Sequence, residues 1–106
     1  MFDKLEIFDK RYEELNKRLY EPDVASDPVV FREVNKELSQ ITPIVEKFRE
    51  YKATKESIED ALSLLEDSSC DDELKSLAQL ELSEAKDKIP VIEDELKILL
   101  LPKDPN

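Results

Sequence analysis

Apolar side chains open the chain in a helical rhythm: Phe2, Leu5, Phe8, Tyr12, Leu15 and Leu19 follow one another mostly in steps of three and four. That spacing places them on one stripe of a helix. Glu6 and Lys10, Glu13 and Lys17, and Glu14 and Arg18 stand four apart with the acid first, the favourable order along a helix. Pro22 lacks a backbone donor and restricts Glu21 before it, so it ends the segment. A first helix is predicted over 3–20.

A second start follows at Asp27-Pro28, an N-cap residue ahead of a proline at the first helical position, with Ser26 as the other candidate cap. From there Phe31, Val34, Leu38, Ile41, Val45, Phe48, Tyr51, Ile58, Leu62 and Leu65 make the stripe. Pro43 interrupts the hydrogen-bond ladder and presses on the Ser39 carbonyl, so a kink or short break belongs near 39–43, with Thr42 able to re-cap the second half. The stripe keeps its phase across the proline, which favours one kinked helix over 28–66. A third stripe runs through Leu74, Ala78, Leu82, Ala85, Ile89, Ile92, Leu96 and Leu99. Ser69 and Asp72 resemble a capping box at its start, Pro90 is expected to bend it, and Pro102 and Pro105 close it. This third helix is predicted over about 70–100.

No segment carries a strand period. Three long amphipathic helices with short joints pack most simply as an elongated, antiparallel, coiled-coil-like three-helix bundle, an all-α fold. Tyr20 stands off the first stripe and is expected to pack under the 22–27 joint, while the remaining stripe aromatics are expected in the core.

Composition narrows the chemistry. Of 106 residues 27 are acidic and 16 basic, a net charge of −11, and the chain contains no glycine, histidine or tryptophan. Without glycine there is no phosphate-cradling loop or dinucleotide fingerprint, and without histidine no Ser-His-Asp triad. One cysteine excludes a zinc cluster of thiolates and fits a reducing, cytoplasmic setting. The longest apolar run, Ile98 to Leu101, is far below the ~20 residues of a membrane helix. Asp67, Asp71, Asp72 and Glu73 lack the glycine that turns a calcium loop and read as helix-capping acids; the same acids disfavour a Cys70 thiolate. No catalytic, cofactor-binding or metal-binding residue is expected. The candidate contact residues are basic: Lys10, Arg11, Lys17 and Arg18, with Lys4, form a band along the first helix that suits phosphates or an acidic protein face. Ile98, Leu99, Leu100 and Leu101 point all around a helix, so self-association through that end is expected.

Several stretches resemble a known family. Arg11-Tyr12-Glu13-Glu14-Leu15, Asp23-Val24-Ala25-Ser26-Asp27-Pro28, Pro43-Ile44-Val45, Phe48-Arg49-Glu50-Tyr51-Lys52 and Leu96-Lys97-Ile98-Leu99-Leu100-Leu101-Pro102-Lys103-Asp104-Pro105-Asn106 occur in this order. Together they resemble the N-terminal domain of a bacterial class I peptide chain release factor, of the type reading UAA and UAG, and the resemblance covers essentially the whole chain. Pro90 departs from the family pattern, which is charged and proline-free there. The resemblance implies a fragment, residues 1–106, of a longer factor whose Pro-x-Thr codon-reading loop and Gly-Gly-Gln hydrolysis loop both lie elsewhere. It implies a non-catalytic helical domain without cofactor, and as partners the ribosome, at the GTPase-associated region of the large subunit, and the class II release factor GTPase. The alternative reading is a free-standing acidic helical adaptor that binds partner helices.

Overall fold

A computed structural model describes residues 3–102. The described residues form four helices and no strand: α1 over Leu5–Leu19, α2 over Pro22–Ala25, α3 over Pro28–Glu66 and α4 over Asp72–Leu99. The all-α expectation holds, and the three long helices lie within a residue or two of their predicted bounds. Phe2 and Pro105, assigned above to the first stripe and to the final stop, lie outside the described residues.

The chain divides into two compact units, Met1–Phe48 and Arg49–Asn106. In the first, Leu15, Val24, Val34, Leu38 and Ile41 form a buried cluster with Phe8, Tyr12, Leu19 and Val30 packed against it. These residues come from α1, α2 and the first half of α3. The second unit has its own cluster of Ala61, Ala78 and Leu82, flanked by Ile58, Leu64 and Leu65. Here the second half of α3 meets α4 through small side chains. Phe48, Tyr51, Ile92 and Leu96 are buried as their stripes predict.

Helix ends follow local chemistry. Glu6 in the first turn of α1 and Lys17 and Arg18 in its last turn oppose the helix dipole favourably. The 22–27 joint contains a turn of helix that the sequence reading does not foresee. Pro22 occupies its first position behind an extended Glu21, and Val24 is driven into the core. Asp27 caps α3 as predicted, its Oδ1 accepting from the N–H of Val29 at 3.0 Å and of Val30 at 3.4 Å. The capping box assigned to Ser69 and Asp72 is corrected. Asp71 is the cap of α4, accepting from the Leu74 N–H at 2.8 Å. Ser69 is held by Asp67 instead, giving both its N–H and its hydroxyl to that carboxylate at 2.9 and 2.6 Å.

α3 runs on through Pro43 and α4 through Pro90. Thr42 does not re-cap the second half of α3: its hydroxyl donates to the Leu38 carbonyl at 2.6 Å, within the continuing helix. Ser39 likewise donates to the Asn35 carbonyl at 2.7 Å. Four apolar placements are corrected. Tyr20 is 86% exposed instead of packing under the joint, and the apolar side chain that the joint buries is Val24 of α2. Leu62 is 42% exposed, while its neighbour Ala61 is 1% exposed and forms the core at the α3 seam with α4. Phe31 and Leu74, near the starts of their helices, are exposed as well. Among the described residues none has a positive φ.

Candidate partner-binding surface

The basic residues of α1 separate by face. Lys10 and Lys17, seven apart, are exposed. Arg11 and Arg18, each one residue further along, are half-buried. One residue is a rotation of about 100°, which carries these two toward α3. Arg11 grips Glu37 in a two-pronged pair, Nε donating to Oε2 at 2.5 Å and Nη2 to Oε1 at 2.9 Å, and reaches Glu14 at 3.4 Å. This parallel fork is the strong form of a carboxylate–arginine contact.

The Arg11 hydrogen bonds hold the Glu37 carboxyl below its ordinary range, with Arg18 adding a smaller attraction, and Glu37 in turn raises the Arg11 guanidinium. Glu37 titrates lower folded than unfolded. Its stabilising share is therefore complete above the ordinary carboxylate range and disappears as pH falls through the lowered value. Both side chains are about two-fifths exposed, so that share is on the order of 1 kcal/mol or less. A groove of about 180 Å³ lies along this pair, lined by Arg11, Leu15, Arg18, Val30, Glu33, Val34 and Glu37. The structure thus brings Arg11 and Arg18 together against two acids of α3, and leaves Lys10 and Lys17 on the outer face. Sequence reasoning missed Glu37, since a pair 26 residues apart on different helices leaves no local signal.

Of the acids of the second joint, Asp71 caps α4, Asp72 and Glu73 lie in its first turn, and Asp67 holds the joint itself. Asp67 and Asp71 accept from the N–H groups of Ser69 and Leu74. Partial burial, with Asp67 beside it, pushes the Cys70 thiol above its ordinary value, in the direction its acidic neighbours predict.

The family model of the PCRF domain matches residues 8–106. The chain belongs to this family. This PCRF domain is 50% identical over all 106 residues to the "Peptide chain release factor 1" of Agathobacter rectalis, of which it spans 29%. It is 43% identical, again over its full length, to the proteins of the same name from Alkaliphilus oremlandii and Clostridioides difficile, spanning 30% of each. No solved structure matches. The resemblance carried by Arg11–Leu15, the Asp23–Pro28 stretch and the leucine-rich end is therefore shown at the level of family. No helix among the described residues is long and apolar enough to cross a membrane.

Proposed function

We propose that this chain is the helical, non-catalytic interaction domain of a translation-termination factor that releases the nascent peptide at UAA and UAG codons in the cytoplasm. The full-length match to proteins named peptide chain release factor 1 carries this reading. The composition agrees with it: a chain without glycine contains no Gly-Gly-Gln loop, so hydrolysis belongs to the part of the factor outside residues 1–106. The partner is the ribosome, near the GTPase-associated region of the large subunit, where the class II factor also acts. Within the band of Lys10, Arg11, Lys17 and Arg18, the two exposed lysines are the better placed to meet phosphates, since Arg11 is engaged by Glu37.

A chimaera tests this, with residues 1–106 replacing the matched part of the Agathobacter rectalis factor. It is expected to release formyl-methionine on UAA and UAG, while the 106-residue chain alone releases none. An inactive chimaera that still folds, or release by the chain alone, overturns the reading. In the same chimaera, Lys10→Glu with Lys17→Glu is expected to weaken ribosome co-sedimentation, most at low salt; unchanged binding across a salt series removes the band from the proposal.

The exposed Ile98 and Leu101 at the end of α4 support the expected self-association of the isolated chain. The net charge of −11 opposes it, so the dimer is expected at high protein concentration and moderate salt. Sedimentation that finds only monomer under those conditions rejects it.

A further inference from the structure

The outer face of α4 carries apolar side chains that the fold leaves uncovered. Leu77 is 59% and Leu80 58% exposed, and Leu74 before them is also exposed. At about 100° per residue the three fall within roughly 120° of arc, an unbroken ridge over the first turns of the helix. Glu81, Glu84 and Lys88 project within the same arc. Together with Glu50, Ala53, Thr54, Ser57 and Ala85 they line a groove of about 250 Å³ between α3 and α4. Its small residues leave the space, and three carboxylates against one ammonium set its charge. Ridge and groove follow one another from Leu74 to Lys88, a strip of roughly 21 Å.

We propose that this strip docks a lysine- or arginine-rich amphipathic helical segment of another protein. The apolar face of such a segment seats on Leu74, Leu77 and Leu80, and a cationic side chain enters the groove among Glu50, Glu81 and Glu84. Charge selects this occupant. Residues 50–88, which contain both ridge and groove, hold twelve acids against five lysines. That field repels nucleic-acid phosphates. A second copy of the chain, meeting the strip symmetrically, sets the same acids against themselves. A basic partner is drawn in from a distance, and the leucines supply the contact that outlasts screening by salt.

The probe is a synthetic amphipathic peptide of about 16 residues, roughly 24 Å as a helix, with leucines along one face and lysines on both flanks. It is titrated into the 106-residue chain while the leucine and isoleucine methyl resonances are followed. Expected are shifts at Leu74, Leu77 and Leu80, and at least about tenfold weaker binding for Leu77→Ser with Leu80→Ser, the loss of a central apolar contact. Leu77→Met should retain binding, and Glu81→Gln with Glu84→Gln should flatten its salt dependence. Circular dichroism of these surface variants is expected to match the parent. Equal binding by a peptide with the same composition in scrambled order overturns the proposal. So do shifts confined to Ile98 and Leu101, unchanged binding by the double-serine variant, or tighter binding of an RNA hairpin than of the peptide.

Discussion

Leu15→Asp is expected to abolish the folded state of the first unit. Leu15 is 1% exposed and sits within the cluster of Val24, Val34, Leu38 and Ile41, so three helical elements share the loss. Removing the side chain alone, as in Leu→Ala, costs about 2–5 kcal/mol at a buried site. A carboxylate at this site, 1% exposed within an aliphatic cluster, is also desolvated, which adds to the cost. Against a total stability on the order of 5–15 kcal/mol, that sum leaves little native population. Helical circular dichroism and urea titration measure it, with Lys10→Asp on the exposed face of α1 as the control expected to change stability by about 0.5 kcal/mol or less. A Leu15→Asp chain that melts like the parent contradicts the packing described for this unit.

Pro43→Ala is expected to act in the opposite direction and stabilise the chain. Pro43 lies on the exposed side of the interior of α3, so its replacement gives up little apolar burial. Alanine restores a backbone donor opposite the Ser39 carbonyl and removes the ring that crowds it. Proline in a helix interior is about 3 kcal/mol worse than alanine. Freeing the unfolded chain at this position returns about 0.4–1 kcal/mol of that difference. The net expectation is a gain of about 2–2.6 kcal/mol, or roughly 8–20 °C in Tm for a chain of this size. Thermal unfolding of both chains decides it, and an equal or lower Tm for Pro43→Ala refutes the argument.

What the sequence shows and what it hides differ by length scale. Periodicity over many turns is robust: the α3 stripe from Val34 to Tyr51 holds its phase through Pro43, and the helix is continuous there. A single turn has no period to detect, and Pro22 stands at the first position of α2 without the capping acid that marks Pro28, so α2 escaped. Residue size misleads where helices approach closely. Ala61 and Ala78 form the seam of the second unit, and the bulkier Leu62 beside it is turned outward. Cap competition also lies below sequence resolution, since Ser69 is a reasonable cap until Asp67 captures both its donors. At the candidate surface, the basic band was legible as spacing along one helix. Its division into exposed lysines and an arginine committed to Glu37 depends on a contact between helices, which spacing does not encode.

The backbone of the described residues never enters the left-handed region. Helices often terminate on a glycine in that conformation, and such a position tolerates few replacements. Here the joints at 20–27 and 67–71 turn with ordinary right-handed and extended residues, tied by side-chain oxygens of Asp27, Asp67 and Asp71. No position in either joint is reserved for one amino acid by steric necessity. Replacement there is limited by side-chain chemistry and not by backbone handedness: each long helix needs a short polar acceptor before it, and the first joint also needs the apolar Val24 that it delivers to the core.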